Sequence, residues 1–169
     1  MIVNYLAIKP VHHSGLGRCP RIWWVALRRT RSPVPGLHPA SISVDQFIPA
    51  PPAKVWSSLT EPELLARWWV PGDIHAVVGH RFHLQMPGWG SVPCEVLEVE
   101  PYERLVYTFG ASWVLTWRLV TEGKGTRVLL EHSGFDLENK RDRAAFERMG
   151  RGWPSTVLPR LADVAAGLP

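Results

Sequence analysis

Apolar and polar residues alternate along much of the chain after residue 40, and turn residues separate the alternating stretches. In the stretch RFHLQM, Phe82, Leu84 and Met86 fall on one side, and Arg81 and His83 on the other. Alternation with a period of two is typical of strands that bury one face. Short strands at hairpin spacing predict an antiparallel meander. The predicted strands are 41–48, 73–78, 81–86, 91–100, 104–109, 113–121 and 126–134.

Residues 48–71 break this alternation and have helical spacing instead. They predict the end of a strand, a short helix, a turn and a second short helix. Prolines at 51 and 52 suit the first turn of a helix, where an N–H has no partner. Thr60 is predicted to cap the second helix, with Glu63 completing a capping box. Pro71 and Gly72 are expected to end it.

Residues 139–166 predict a long closing helix that lies across the sheet. Pro154 and Pro159 fall inside it, and a proline within a helix usually kinks it. We therefore expect a break near 150–154, with the main piece starting near Trp153. The apolar stripe repeats at threes and fours, and it consists of Phe146, Met149, Trp153, Val157, Leu161 and Val164.

The order of these elements resembles the START-like helix-grip superfamily, also called SRPBCC. Within it, the chain is similar to the branch of the activator of heat-shock protein 90 ATPase homologues, over roughly residues 41–168. The matching segments are IPAPPAKVWSSLTEPELLARWW at 48–69, GHRFHLQM at 79–86, CEVLEVEPYERLVYTF at 94–109, GTRVLLEHSGF at 125–135 and GW at 152–153.

The resemblance implies an α+β fold of the helix-grip, or Bet v-like, type. It has a curved antiparallel sheet, two short helices after the first strand and a long C-terminal helix. The superfamily includes lipid carriers, hormone receptors, cyclases and co-chaperone domains, so the fold alone does not determine function.

Residues 1–40 differ in composition from the remainder. They contain six basic residues and no acid, while residues beyond 40 hold all fifteen acids against thirteen bases. A mildly acidic domain gives no case for a nucleic-acid surface. We expect 1–40 to be a disordered or mis-started extension of the 41–168 domain.

The chain shows no secretory signal, and its apolar run 22–27 is too short to span a membrane. Two cysteines, Cys19 and Cys94, do not make a disulfide framework. We therefore expect a cytoplasmic protein.

Aromatic residues are the strongest functional signal, since nine tryptophans occur in 169 residues. Those predicted to face inward could line an apolar pocket between the sheet and the C-terminal helix, and such pockets bind small molecules. The alternative is that they simply fill the core. The pocket candidates are Trp69, Phe82, Leu84, Met86, Cys94, Tyr107, Phe109, Trp113, Leu115, Trp117, His132, Met149 and Trp153.

Catalytic signatures are absent from the sequence. No glycine-rich phosphate loop, metal spacing or dinucleotide fingerprint occurs, so we expect no cofactor and no metal. Glu95 and Glu98 are predicted to face opposite ways on one strand, which would prevent a carboxylate pair. His132 is expected to be buried and bonded to a backbone carbonyl, and Cys94 to be a small core residue.

These patterns favour a domain that binds a small hydrophobic or aromatic ligand. One alternative is a cyclase- or hydrolase-like enzyme that uses the same pocket, with His132, Tyr107 and Asp73 as its polar groups. Another is a protein-interaction domain of the chaperone ATPase activator type, with a protein partner or a second copy of the chain. A structural or regulatory domain without ligand is the fourth.

Overall fold

A computed structural model describes residues 39–169 of the protein. Cys19 and the predicted extension, up to residue 38, lie outside the described residues. In chain order the elements are β1 (Ala40–Ile48), α1 (Pro52–Thr60), α2 (Pro62–Trp68), β2 (Arg81–Met86), β3 (Gly90–Glu100), β4 (Arg104–Phe109), β5 (Trp113–Glu122), β6 (Gly125–Phe135), α3 (Lys140–Gly152), a π-helical turn (Trp153–Val157) and α4 (Leu158–Ala166).

The strands form one curved, open antiparallel sheet in the order β1-β6-β5-β4-β3-β2. The C-terminal helical segment packs against it, with α4 in contact with β1, α1 and α2. The α+β helix-grip fold predicted from the sequence is therefore confirmed. None of the helices in residues 39–169 has the length and apolar character needed to cross a membrane.

The alternation of side chains along the strands places the core as predicted. Phe82 and Leu84 of β2 are buried, and so are Leu105, Tyr107 and Phe109 of β4. Burial of such large apolar side chains is the main force that holds sheet and helix together.

The predicted strand at 73–78 is wrong. Only Gly72 forms a bridge, to Leu84 of β2. Beyond it, the side-chain oxygen Oδ1 of Asp73 accepts the backbone N–H of His83 at 2.8 Å. A carboxylate thus takes the place of the carbonyl that a paired strand would supply, and the backbone leaves the sheet edge there.

The predicted capping box is also wrong. Thr60 is the last residue of α1, and its hydroxyl donates to the carbonyl of Trp56 at 2.9 Å. The N-cap of α2 is Glu61, which makes no side-chain cap hydrogen bond. Pro62 gives α2 a preorganised first turn without that cap.

Glu95 and Glu98 were predicted to face opposite ways, and the structure contradicts this. A bulge shifts the register between Val96 and Glu98, so Glu98 pairs with Val106 on the outer face of the sheet. Both carboxylates lie on that face, but each pairs with an arginine. Glu95 Oε2 lies 3.0 Å from Arg81 Nε, and Glu98 Oε2 lies 3.1 Å from the Arg104 guanidinium.

The C-terminal helical segment is interrupted near the predicted place but does not break. Trp153 opens a π-helical turn in which the N–H of Leu158 donates to the carbonyl of Trp153, five residues back. The turn adds one residue to the helical repeat, so the residue buried after Trp153 is Leu158. The predicted stripe position Val157 is half-buried instead. Pro159, which has no N–H to donate, follows at the start of α4.

Because the π-helical turn buries Leu158 instead of Val157, we expect alanine variants at these two positions to differ in stability. Leu158→Ala should lower the free energy of unfolding by about 2–5 kcal/mol, because it empties a fully buried site. Val157→Ala should cost roughly 1 kcal/mol or less. Urea denaturation of both variants measures the difference. A larger loss for Val157→Ala would mean that the helix continues without the extra residue.

Candidate functional site

His132 stands at the centre of the polar chemistry on the inner face of the sheet. It lies on β6, opposite Ile42 of β1 and Leu115 of β5, and is completely buried. Alternation along β6 points it inward together with Val128 and Leu130.

His132 meets the C-terminal segment through one hydrogen bond. The indole Nε1–H of Trp153 donates to Nδ1 of His132 at 3.2 Å. The predicted backbone carbonyl partner is therefore wrong. Because Nδ1 accepts, the proton of the neutral ring lies on Nε2. Burial lowers the pKa of His132 to about 3, so the ring is neutral near pH 7.

The Nε2–H of His132 has no hydrogen-bond partner among residues 39–169. Arg104 Nε is the other buried side-chain atom in that range without one, but its guanidinium already bonds Glu98 through a second nitrogen. An unpaired buried donor is unfavourable by about 1–3 kcal/mol. His132 therefore has a buried hydrogen-bond donor that the described residues leave unused.

Aromatic rings surround this imidazole. Phe135 lies 4.7 Å from it between ring centroids, Phe109 lies 5.6 Å away and Trp113 lies 5.8 Å away. Trp153 in turn packs on Trp69 of the α2 end, at 5.1 Å between centroids. These rings form one continuous apolar wall that joins sheet and helices.

A pocket of about 210 Å³ opens beside this wall, between the β2–β3 turn, the sheet and the C-terminal segment. Its lining is mostly apolar, and the polar groups among it belong to a histidine and an arginine. The lining residues are Trp69, Met86, Pro87, Trp89, Phe109, His132, Arg148, Met149, Gly152, Trp153 and Val157.

The structure brings together six of the residues that the sequence nominated. Trp69, Met86, Phe109, His132, Met149 and Trp153 all line the pocket. Trp113 lies behind them and lines a neighbouring cleft.

The remaining candidates are fully packed core residues rather than pocket walls. Burial raises the pKa of the Cys94 thiol to about 12, and it raises the pKa of the Tyr107 hydroxyl as well. The Tyr107 oxygen accepts the indole N–H of Trp117 at 3.1 Å. The full set is Phe82, Leu84, Cys94, Tyr107, Leu115 and Trp117.

The neighbouring cleft has a volume of about 330 Å³ and shares Trp89 and Phe109 with the pocket. The Arg141 guanidinium lies 5.7 Å from the centre of the Trp89 ring. Asp142 also lines this cleft, and its Oδ2 accepts the Trp113 indole N–H at 3.2 Å. Trp89 therefore stands between the two spaces.

Three important lining residues lie outside the predicted set of pocket candidates, although one of them, Trp89, belongs to the aromatic residues that the sequence marks as its strongest functional signal. Trp89 sits in a tight turn between Gly88 and Gly90, whose φ angles of 76° and 77° favour glycine. Arg148 lies outside the apolar stripe predicted for the closing helix, whereas Val157 was assigned to that stripe. The spacing of apolar residues does not reveal the π-helical turn, and this turn moves Val157 out of the buried stripe.

The polar groups considered for catalysis do not meet in this pocket. His132 lines it, whereas Tyr107 is enclosed in the core. Asp73 lines a separate shallow cleft, where the hydrogen bond from the His83 backbone lowers the pKa of its carboxyl group. Within residues 39–169 no cluster of three or more His, Cys, Asp or Glu side chains could hold a metal ion.

Comparisons with known proteins agree with this architecture. A protein of Mesorhizobium loti is 32% identical, covers 74% of this chain and 96% of its own, and superposes with a TM-score of 0.67. A protein of Bacillus halodurans, also 32% identical, covers 75% and 96% of the two chains with a TM-score of 0.66. The Aha1 dimer from Colwellia psychrerythraea is 19% identical, covers 77% and 99%, and shares the fold at a TM-score of 0.65.

Among curated protein sequences, none matches this chain. The family model described as Activator of Hsp90 ATPase homolog 1-like protein matches residues 49–166, which is well over half of the sequence. The resemblance inferred from the sequence is thereby confirmed. The chain belongs to the family of activator of Hsp90 ATPase homolog 1-like proteins.

Proposed function

We propose that residues 41–168 form a domain that binds a small apolar or aromatic molecule in the pocket between sheet and C-terminal helix. The observation that carries the proposal is that His132 lines a mostly apolar pocket and that its buried Nε2–H has no hydrogen-bond partner among residues 39–169. A ligand oxygen placed there would satisfy a buried donor that the protein itself leaves unpaired.

The walls of the pocket suit a flat ligand. Trp69 stacks on Phe109 with centroids 5.9 Å apart and planes 18° from parallel, and the Trp153 ring lies 5.1 Å from Trp69 between centroids. Aromatic faces add stacking and edge contacts to the burial of apolar area. Met86 and Met149 can adjust to the outline of the ligand, since unbranched thioethers are flexible.

Acid–base catalysis has less support than binding. A histidine with a pKa near 3 is not an imidazolium at neutral pH, so it cannot act as a general acid there, and it is a very weak base. Tyr107 and Asp73, the other polar groups considered, lie outside the pocket. We therefore favour a carrier or sensor of a small molecule over a cyclase or hydrolase.

An interaction surface has less support as well. Among residues 39–169, the large apolar side chains more than half exposed are Val77, Val78 and Tyr102, which lie in two separate loops. Single exposed apolar residues are common on soluble proteins and do not mark an interface.

The buried, unpaired thiol of Cys94 fits a reducing compartment such as the cytoplasm.

Ligand binding can be tested by thermal shift and native mass spectrometry of the full chain against flat aromatic, fatty-acyl and polyketide-like compounds. A compound at 100 times its dissociation constant should stabilise the folded state by about 2.7 kcal/mol. Val157→Phe, which fills the pocket from its half-buried rim, should abolish this shift. Val120→Phe, on the exposed outer face of β5, should leave the shift unchanged. Failure of every compound class to stabilise the wild type, or full binding by Val157→Phe, would contradict the proposal.

The pKa of His132 leads to a pH dependence of stability. The folded-state pKa of about 3 lies below the ordinary value of 6.5, so the unfolded chain takes up this proton first as the pH falls. The stability that depends on a neutral His132 is fully present above about pH 6.5. As the pH falls toward 3, the free energy of unfolding decreases by up to about 1.4 kcal/mol per pH unit. Denaturation of the His132→Phe variant at several pH values should show a shallower acid slope than the wild type.

The control for this prediction is Val120→Phe, which changes an exposed residue of β5 and removes no titratable group. Its acid slope should match that of the wild type. An unchanged slope in His132→Phe would mean that His132 is not held neutral by burial.

A further inference from the structure

Arg148 is the charged residue of the pocket. It lies on α3 beside Met149 and lines the pocket opposite the sheet. Of the residues that the structure describes, no other formally charged side chain lines this space, and no carboxylate does. Arg148 is exposed to solvent as well as lining the pocket, which places it at the rim.

The guanidinium of Arg148 is not engaged within the described part of the chain. The ion pairs found there use Arg81, Arg104 and Arg127. Arg143 of the same helix donates its Nε–H to the carbonyl of Leu137 at 2.8 Å, but Arg148 makes no such bond within residues 39–169. Its planar donors are therefore available to a bound molecule.

Within residues 39–169, no carboxylate forms an ion pair with Arg148. Asp142 faces the neighbouring cleft, where its Oδ2 accepts two N–H groups, from the Trp113 indole and from the backbone of Asp136. Arg141, which also lines that cleft, adds a second guanidinium beside the shared residue Trp89. A cationic ligand would meet a like charge at the mouth and would find no carboxylate in the lining.

We propose that the ligand is an apolar acid, with its planar body among Trp69, Phe109 and Trp153 and its carboxylate held by Arg148. This deepens the function proposed above and rests on it. A guanidinium binds a carboxylate through two parallel N–H···O bonds, and such charge-assisted bonds are about twice as strong as neutral ones. Arg148 would then select the charge of the ligand, and the aromatic walls its shape.

Three matched probes test the sign of that charge. Naphthalene-2-carboxylic acid, its neutral carboxamide and the corresponding aminomethyl compound share one ring system and differ in their head group. Isothermal titration of each into the full chain near neutral pH should show the acid binding at least about tenfold more tightly than the amide. The amine should bind most weakly.

Two variants test whether Arg148 is the residue responsible for the preference for the acid over the amide. Arg148→Gln should abolish the difference in affinity between acid and amide. Arg151→Gln, which changes an exposed arginine three residues further along α3, should keep the full difference. Equal affinities for acid and amide in the wild type would overturn the inference but leave the apolar binding site standing.

The other outcomes are equally decisive. A preference for the acid that survives Arg148→Gln would overturn the role of Arg148. If none of the three probes binds at millimolar concentration, the inference fails, and the wider compound screen described above then decides the proposed binding function. Far-ultraviolet circular dichroism and the melting temperature of each variant establish that it is folded.

Discussion

The hydrogen bond from the Trp153 indole to His132 is the contact on which the inner architecture depends. It joins β6 to the first residue of the π-helical turn, across the seam between sheet and helix. Trp153 also packs edge-on against Trp117 of β5, at 5.8 Å between centroids. Without this bond, both nitrogens of a buried imidazole would lack partners, each at a cost of about 1–3 kcal/mol. The same bond fixes the tautomer, and so it determines that a donor rather than an acceptor is left over.

The position of the pocket follows from how the aromatic side chains divide the inner face. Over β4 and β5 they pack directly on one another, as Trp117 and Tyr107 do, and leave no space. Toward the β2–β3 turn a space remains between the sheet and the C-terminal segment, and Met86, Met149 and Trp89 are among the residues that line it. Sequence reasoning identified the inward face of each strand but could not separate filled core from pocket wall, because both consist of the same residue types.

Much of the fold could be predicted from the chain because its signals are local. Strands β2 and β4 have the predicted bounds, since each shows an uninterrupted alternation between turn residues. The errors occur where a distant group decides the outcome. The Asp73 carboxylate replaces a backbone partner, and the bulge before Glu98 depends on the register with β4. The partner of His132 lies 21 residues away on a different element, and no spacing rule identifies it.

The central claim is that His132 is a neutral imidazole whose proton lies on Nε2 and is available to a ligand. Nitrogen-15 NMR of the imidazole ring measures this most directly. We expect the His132 ring to give the signature of the Nε2–H tautomer from neutral pH down to well below the ordinary histidine pKa of about 6.5, and its Nε2 resonance to shift when a ligand is added. An imidazolium at mildly acid pH, a proton on Nδ1, or an Nε2 signal unmoved by a saturating ligand would contradict the account.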